Sequence, residues 1–292
     1  MSVLEKDLYL SNNTSVQSFG VVERALSEAA SREELFKDQA FRAMVFGRID
    51  DLMPSDHAIL SLDVFDTIVL RDSSSEVERF IEIGEAMASI IAEVKFENPQ
   101  RIESQLSGAP SRRTVDAFLA RYLGTKATYR ARDRVKGYGE GSLSEIHLVS
   151  SRLLTGGGGL AKPFIDAELN YEATRIKPNS LLLEYVDLHL SRGGKVILVT
   201  DMYMHSEQVE ILLRLVNIDT SRFSGIVSSA DVRVSKASGL IFSLIESRMQ
   251  SSAADFVHIG DSLKGDYLMP VSHGWRALHL PICDNVLISA ES

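Results

Sequence analysis

Cysteine is almost absent: Cys283 is the only one in 292 residues. No intrachain disulfide can form, and a reducing, cytoplasmic setting is the expected one. Long apolar runs are missing too. None approaches the roughly 20 residues that a bilayer-spanning helix needs, and the start, Met1-Ser2-Val3-Leu4-Glu5-Lys6-Asp7, has neither the basic nor the apolar part of a signal peptide. No membrane partner is expected. The third absence is basic excess, since the formal charge is -9 at pH 7. Such a balance argues against a nucleic-acid surface, which requires a positive field, and any anionic ligand must be met by local cations. What is present is a hydrophobic content of 45%, enough to fill one large core or two modest ones. None of these features bears on oligomeric state.

The most informative stretch is Asp63-Val64-Phe65-Asp66-Thr67, because the apolar run Ala58-Ile59-Leu60-Ser61-Leu62 delivers an acidic cluster at its end. Three later segments repeat the pattern. Val196-Ile197-Leu198-Val199 runs into Thr200-Asp201, Gly225-Ile226-Val227-Ser228-Ser229 leads to Lys236, and Phe256-Val257-His258-Ile259 runs into Gly260-Asp261. In open α/β sheets ligands bind beyond the carboxyl ends of the strands, so four such tips could converge on one pocket.

Between these strands the periods are helical. Residues 1 to about 17 are polar and are expected to be loosely ordered. A helix at about 20–30 is followed by one opened by Ser31 and Glu34, with Phe41, Met44, Val45, Ile49 and Leu52 at helical spacing up to Pro54. These helices read as an extension packed on the core. From 72 to 179 no strand is evident. Ser73 with Glu76 forms a capping box ahead of Val77, Phe80, Ile81, Gly84, Met87, Ala88 and Ile91 on one face. Further helices are expected at 111–123, ending at Gly124, at 142–154, opened by Ser142 and Glu145, and from Pro163. Gly156-Gly157-Gly158-Gly159 reads as a connection, because no strand precedes it and no Gly-Lys-Ser/Thr ending follows. Arg112 to Lys136 holds eight basic residues against Asp116 and Asp133. A solvated helix face explains this, while a sharper reading turns part of the stretch toward an anionic substrate.

After Pro178 helices and strands alternate: helix 180–191, strand 195–200, helix 206–216, strand 225–229, helix 238–250, strand 255–260, a short helix to Pro270 and a strand at 275–280. That order implies right-handed crossovers and a parallel sheet, hence an α/β, Rossmann-like core. The expected division is 1–56 as an N-terminal helical extension, 57–71 with 180–292 as the core, and 72–179 as a helical insertion.

Singly, each polar residue has a bland explanation: Asp63 and Thr200-Asp201 as caps, Lys236 as a surface lysine, Asp261 and Asp266 in a loop. His205, His258, His273 and His279 match no zinc spacing and are assigned to packing or hydrogen bonding. Jointly, and in this order, the chain resembles the haloacid dehalogenase-like hydrolase superfamily. Its four motifs match Leu62 to Thr67, Val199-Thr200-Asp201, Lys236 ahead of a helix, and Gly260-Asp261-Ser262-Leu263-Lys264-Gly265-Asp266. Residues 57–71 and 180–284 carry the resemblance, and the helical insertion sits where the family places a C1-type cap. The wording Asp-Val-Phe-Asp-Thr resembles a little-characterised branch of that family.

The resemblance implies an aspartyl-phosphate mechanism on a small phosphorylated metabolite such as a sugar phosphate. Asp63 would be the nucleophile. Mg²⁺ would be held by Asp63, the Phe65 carbonyl and Asp261 with Asp266, while Lys236, Thr200 and Asp201 would serve the substrate phosphate. One departure stands out. Phosphatases of the family carry a second aspartate two residues after the nucleophile as general acid and base, and here that position is Phe65. Asp66 could take the role only if the backbone twists, because successive side chains of an extended segment face opposite ways. Two alternatives follow from this departure. One is a non-catalytic or weakly active module binding a phosphorylated ligand or a partner. The other is a hydrolytic 2-haloacid dehalogenase, whose leaving halide needs no proton.

Overall fold

A computed structural model describes residues 20–97 and 110–282; the polar N-terminus and Cys283 lie outside the described residues. Five strands, β1 (Ile59–Leu62), β4 (Lys195–Thr200), β5 (Gly225–Ser228), β6 (Phe256–Gly260) and β7 (Arg276–His279), form one sheet in the order β5-β4-β1-β6-β7. Every pairing is parallel, and the central strand sets the register: Leu62 lies beside Leu198 on one side and Ile259 on the other. The chain moves from β1 outward to β4 and β5, then returns across β1 to β6 and β7. The strand order therefore reverses beside β1, which places the ligand crevice above its carboxyl end.

The strands read as unbroken apolar runs because both faces are covered. On β4, Val196 and Leu198 join the larger core cluster, while Ile197 and Val199 join a second one on the opposite face with Phe242, Ile245 and Trp275. The larger cluster takes in the N-terminal helices α1 (Val21–Glu28), α2 (Arg32–Leu35) and α3 (Gln39–Leu52) through Leu26, Phe36, Phe41, Val45 and Ile49. These helices pack on the core, as expected. They are cut where one continuous helix is predicted, because Asp38 accepts from Phe41 N at 2.7 Å and opens α3 as a new helix.

The helical stretch comprises α4 (Glu76–Glu97), α5 (Pro110–Arg130), α6 (Leu143–Thr155) and α7 (Ala161–Arg175). Its own core is Phe80, Ile83, Met87, Ala88, Ile91, Ala117 and Phe164. Four expectations are corrected here. The capping box is Ser75 with Glu78, whose main-chain and side-chain groups bond reciprocally at 3.2 and 2.8 Å; Glu76 is already helical. Val77 and Ile81 are exposed, so the buried face runs through Ile83 instead. Two short strands were not anticipated, β2 (Val69–Arg71) and β3 (Ile176–Pro178), which pair antiparallel where the helical stretch leaves and rejoins the sheet. Gly124 does not end a helix. It lies within α5, where a Cβ would stand 2.7 Å from the Ile146 carbonyl oxygen and 2.8 Å from Ser150 Oγ, so its missing side chain lets α5 and α6 approach. By contrast Gly156, at φ 75°, caps α6, and the glycine run is the connection expected.

The close approach at Gly124 carries a stability consequence. Gly124→Val is expected to cost about 2 kcal/mol through overpacking, read as a melting temperature several degrees lower. Gly157→Ala, with open space around it, should be near neutral in the same measurement.

Candidate active site

Asp63 sits one residue beyond β1, and its amide donates to the Ile259 carbonyl at 2.9 Å, fixing it between β1 and β6. The chain then turns sharply. Asp66 adopts φ 56°, a left-handed conformation that aspartate tolerates better than most residues. The main chain closes the turn with Val69 N on the Val64 carbonyl at 3.0 Å, and Asn179 clamps it from outside through Thr67 O and Ile68 O.

Thr200 ends β4, and its hydroxyl accepts from Met202 N at 3.3 Å. Asp201 follows, with its carboxylate accepting the Lys236 amide at 2.9 and 3.0 Å. That contact positions the segment carrying Lys236, which lies between the helical turn Ser229–Val232 and the helix Leu240–Met249. The Lys236 ammonium donates to Asp63 Oδ1 and Asp266 Oδ1, each at 2.5 Å. Asp266 returns to the tip of β6 within a π-helical turn at Leu263–Leu268. Gly260 allows this return, since a Cβ there would lie 2.3 Å from Asp266 Cγ.

Four strand-end segments distant in sequence thus meet in one cavity of about 280 Å³, whose lining includes Asp63, Phe65, Thr200, Asp201, Lys236, Asp261 and Asp266. The order of the strands and the residues at their tips decide the architecture. The fold is an open, parallel α/β sheet with its polar strand tips gathered on one side.

No family model matches the chain, and no curated protein does. Among solved structures, a 2-haloacid dehalogenase from Pseudomonas syringae is 14% identical, covers 76% of this chain and 86% of its own, and superposes with a TM-score of 0.47. A haloacid dehalogenase family enzyme from Bacteroides thetaiotaomicron, in complex with magnesium and inorganic phosphate, is 15% identical over 76% of this chain and 93% of that one, at a TM-score of 0.46. The L-2-haloacid dehalogenase of Xanthobacter autotrophicus is 13% identical, with coverages of 76% and 77% and a TM-score of 0.43. At such identities and TM-scores the likeness assigns neither family nor activity to this chain.

The electrostatics of this site are those of too many buried acids for one lysine. Burial pushes the Asp63 carboxyl well up, and the neighbouring Asp266 and Asp261 add to the rise against the pull of Lys236. Burial and Asp266 likewise push Asp261 up to about 7. Asp266 goes the other way: burial opposes its charge, but Lys236 and a hydrogen bond from His258 hold it well below the usual carboxylate range. Burial disfavours the Lys236 ammonium, yet Asp266, Asp63 and Asp201 together raise its proton affinity. Ligand oxygens of Asp63, Asp261 and Asp266 lie within 4.8 Å of one another. Three hard oxygen donors with incompletely compensated charge fit a divalent cation such as Mg²⁺.

Behind the site, His258 Nε2 lies 2.9 Å from Asp266 Oδ1 and Nδ1 lies 2.7 Å from Ser61 Oγ. Burial lowers the histidine's pKa, so the neutral ring donates to the carboxylate and accepts from the hydroxyl. The other histidines also serve as hydrogen-bonding residues: His279 on the Asp261 carbonyl, His205 on Asp231, His273 by Ser243.

Three expectations for the site change. Asp66 does twist as the catalytic reading requires, but its carboxylate is committed to Arg71, accepting from Arg71 N at 3.2 Å and Nε at 2.7 Å and forming an ion pair with the guanidinium. Asp201 spends its carboxylate on the Lys236 main-chain amide, so it serves the substrate side only by positioning Lys236. Among the described residues of the basic stretch, none lines the cavity. Arg121 is wholly buried, bonded through Nε and Nη2 to Glu168 at 2.6 Å and packed over the Phe80 and Tyr203 rings, while Arg132 pairs with Glu145. Sequence reasoning gave no role to Arg71, Tyr138, Met202 or Lys264, which also line the cavity. Tyr138 comes from a tight turn after α5 and bonds Lys264 Nζ. No periodicity marks such positions.

The raised carboxyls predict a pH effect with a definite sign. Unfolded aspartates titrate near about 4, so between about pH 4 and 7 the cation-free fold holds more protons than the unfolded chain and loses stability as pH rises. Asp266 has the opposite sign, but its window lies below that range. The buried histidines, held neutral in the fold, act in the opposite sense over this range, so the expected readout is a difference: in chelator, the melting temperature of the parent relative to that of Asp261→Asn should fall from about pH 5 to about pH 7.

Proposed function

We propose that the chain is a Mg²⁺-dependent phosphohydrolase acting on a small phosphorylated metabolite, with the helical stretch 72–179 as a cap over the strand ends. The observation that carries this reading is the convergence of Asp63, Lys236 and the Asp261–Asp266 pair on one cavity. Asp63, Asp261 and the Phe65 carbonyl would hold the cation, with Asp266 beside them. When bound, it neutralises carboxylate and phosphate so that the two can approach.

The chain's own residues then have distinct tasks. Asp63 supplies the attacking oxygen and becomes phosphorylated. Lys236 balances charge on Asp63 and on an equatorial phosphoryl oxygen, and the Thr200 hydroxyl orients another oxygen. Asp201 positions Lys236 through its amide. Asp266, braced by His258, fixes the ammonium from the far side. With Phe65 in place of an acid, proton transfer to the leaving group and from water is unassisted. That loss typically costs about 10²–10⁴-fold, so turnover is slow.

Phosphate release from an aryl phosphate and a metabolite panel tests the proposal. The parent should turn over only with Mg²⁺, and Asp63→Asn should lose about three orders of magnitude or more. Phosphate binding without turnover on any substrate would favour the binding-module reading. Cation-independent halide release from a 2-haloacid would favour a dehalogenase, for which Asp261 in the acidic cluster has no evident use.

A further inference from the structure

The position two residues after Asp63 holds a phenyl ring, and a guanidinium lies over it. Arg71 Cζ stands 5.7 Å from the centroid of the Phe65 ring, and both residues line the cavity with Asp63. Asp66 grips one edge of that guanidinium, through Nε and the ion pair at Nη2, and also bonds the Arg71 amide. The grip comes from a buried carboxylate in a left-handed turn that Asn179 and Val69 hold shut. Among the described residues Arg71 Nη1 makes no hydrogen bond, and the side chain keeps 36% of its surface exposed. A planar cation is thus fixed by one edge and offers the other.

We infer that Arg71 is a catalytic residue that stabilises the leaving oxygen as an anion, and that the preferred substrates are phosphate esters or anhydrides whose leaving group is a stable oxyanion: phenolic, enolic, acyl or phosphoryl. The inference rests on the phosphohydrolase reading above. In the first step an Asp63 oxygen forms a bond to phosphorus while the bond from phosphorus to the leaving oxygen breaks. The leaving oxygen takes the electron pair, receives no proton from the protein, and accepts hydrogen bonds from the Arg71 edge. In the second step water attacks the acyl phosphate, the Asp63 carboxylate departs with its electron pair, and the water proton passes to solvent. A fixed cation acts most where charge develops most, so Arg71 matters in proportion to the negative charge the leaving oxygen must bear.

The test is kcat/KM with Mg²⁺ for dinitrophenyl, nitrophenyl and phenyl phosphate in the parent, Arg71→Gln and Arg71→Lys, with folding checked by circular dichroism. Arg71→Gln should lose about 10²-fold on phenyl phosphate, the size expected for removing one charge-stabilising donor, but less than about threefold on the dinitrophenyl ester. Arg71→Lys keeps a cation beside Asp66 and should recover most of the phenyl phosphate activity. Equal losses across the series, or none, would overturn the role of Arg71 while leaving the phosphohydrolase reading intact. A parent inert toward every ester would take down that reading and this inference with it.

Discussion

One ammonium stands between two carboxylates, with two more carboxylates close by and almost no solvent to share the charge. The Lys236 contacts to Asp63 and Asp266 are the constraint on which the rest of the site depends. A buried ion pair is a poor source of stability because desolvation offsets attraction, but removing one partner leaves an uncompensated charge and is costly. The fold therefore supplies supports on every side. Asp201 fixes the Lys236 main chain, Ser262 N donates to Asp266 Oδ2 at 2.9 Å, and Gly260 leaves room for Asp266 to reach the strand end. Asp201 follows β4 whereas Gly260 and Ser262 belong to the end of β6, so the supports come from neighbouring strand ends, and a parallel sheet, with all its carboxyl ends on one side, suits this arrangement.

A second buried network ties the helical stretch to the same loops. Glu168 accepts from Arg121 twice and from Tyr203 at 3.0 Å, and lies 2.8 Å from His147 Nε2; burial opposes its charge, but Arg121 and His147 hold it far below the usual carboxylate range. Tyr203 lies two residues after Asp201, and its carbonyl accepts from Leu143 N at 2.6 Å. The loop that positions Lys236 is thus bonded at its far end to α6 and α7. Packing in the helical stretch and geometry at the strand ends are coupled through a few wholly buried polar groups.

The sheet was largely legible because strands buried on both faces must be apolar at every position, and runs such as Val196 to Val199 stand out from polar surroundings. The acids at their ends were legible for the same reason, as abrupt changes of character. Where the chemistry is local, as at the Ser31 and Ser142 caps, the sequence also sufficed. It failed where tertiary contact decides. Gly124 looks like a helix stop until Ile146 is seen beside it, and Arg121 looks like surface charge until Glu168 is. The three-residue strands β2 and β3 are too short for any period to show, and they exist because each supplies the other's missing hydrogen bonds. Arg71 ends one of them, which is why its place in the cavity had no signature.

The turn from Asp63 to Arg71 shows how much one side chain decides in a site. With an acid at position 65, a cation stacked above it would be drawn into an ion pair and the acid would lose its proton too readily to donate it. With Phe65 there instead, the ring gives the guanidinium an apolar face to lie on, and the carboxylate that partners it is that of Asp66, one residue further along. The left-handed twist at Asp66 then has a use. It aims that carboxylate at Arg71 rather than at the nucleophile, and it leaves the cavity wall with a fixed positive charge where a titratable group would otherwise stand. A permanent cation can stabilise an oxyanion but cannot deliver a proton, so the chemistry that this turn can support is set by the acidity of what departs.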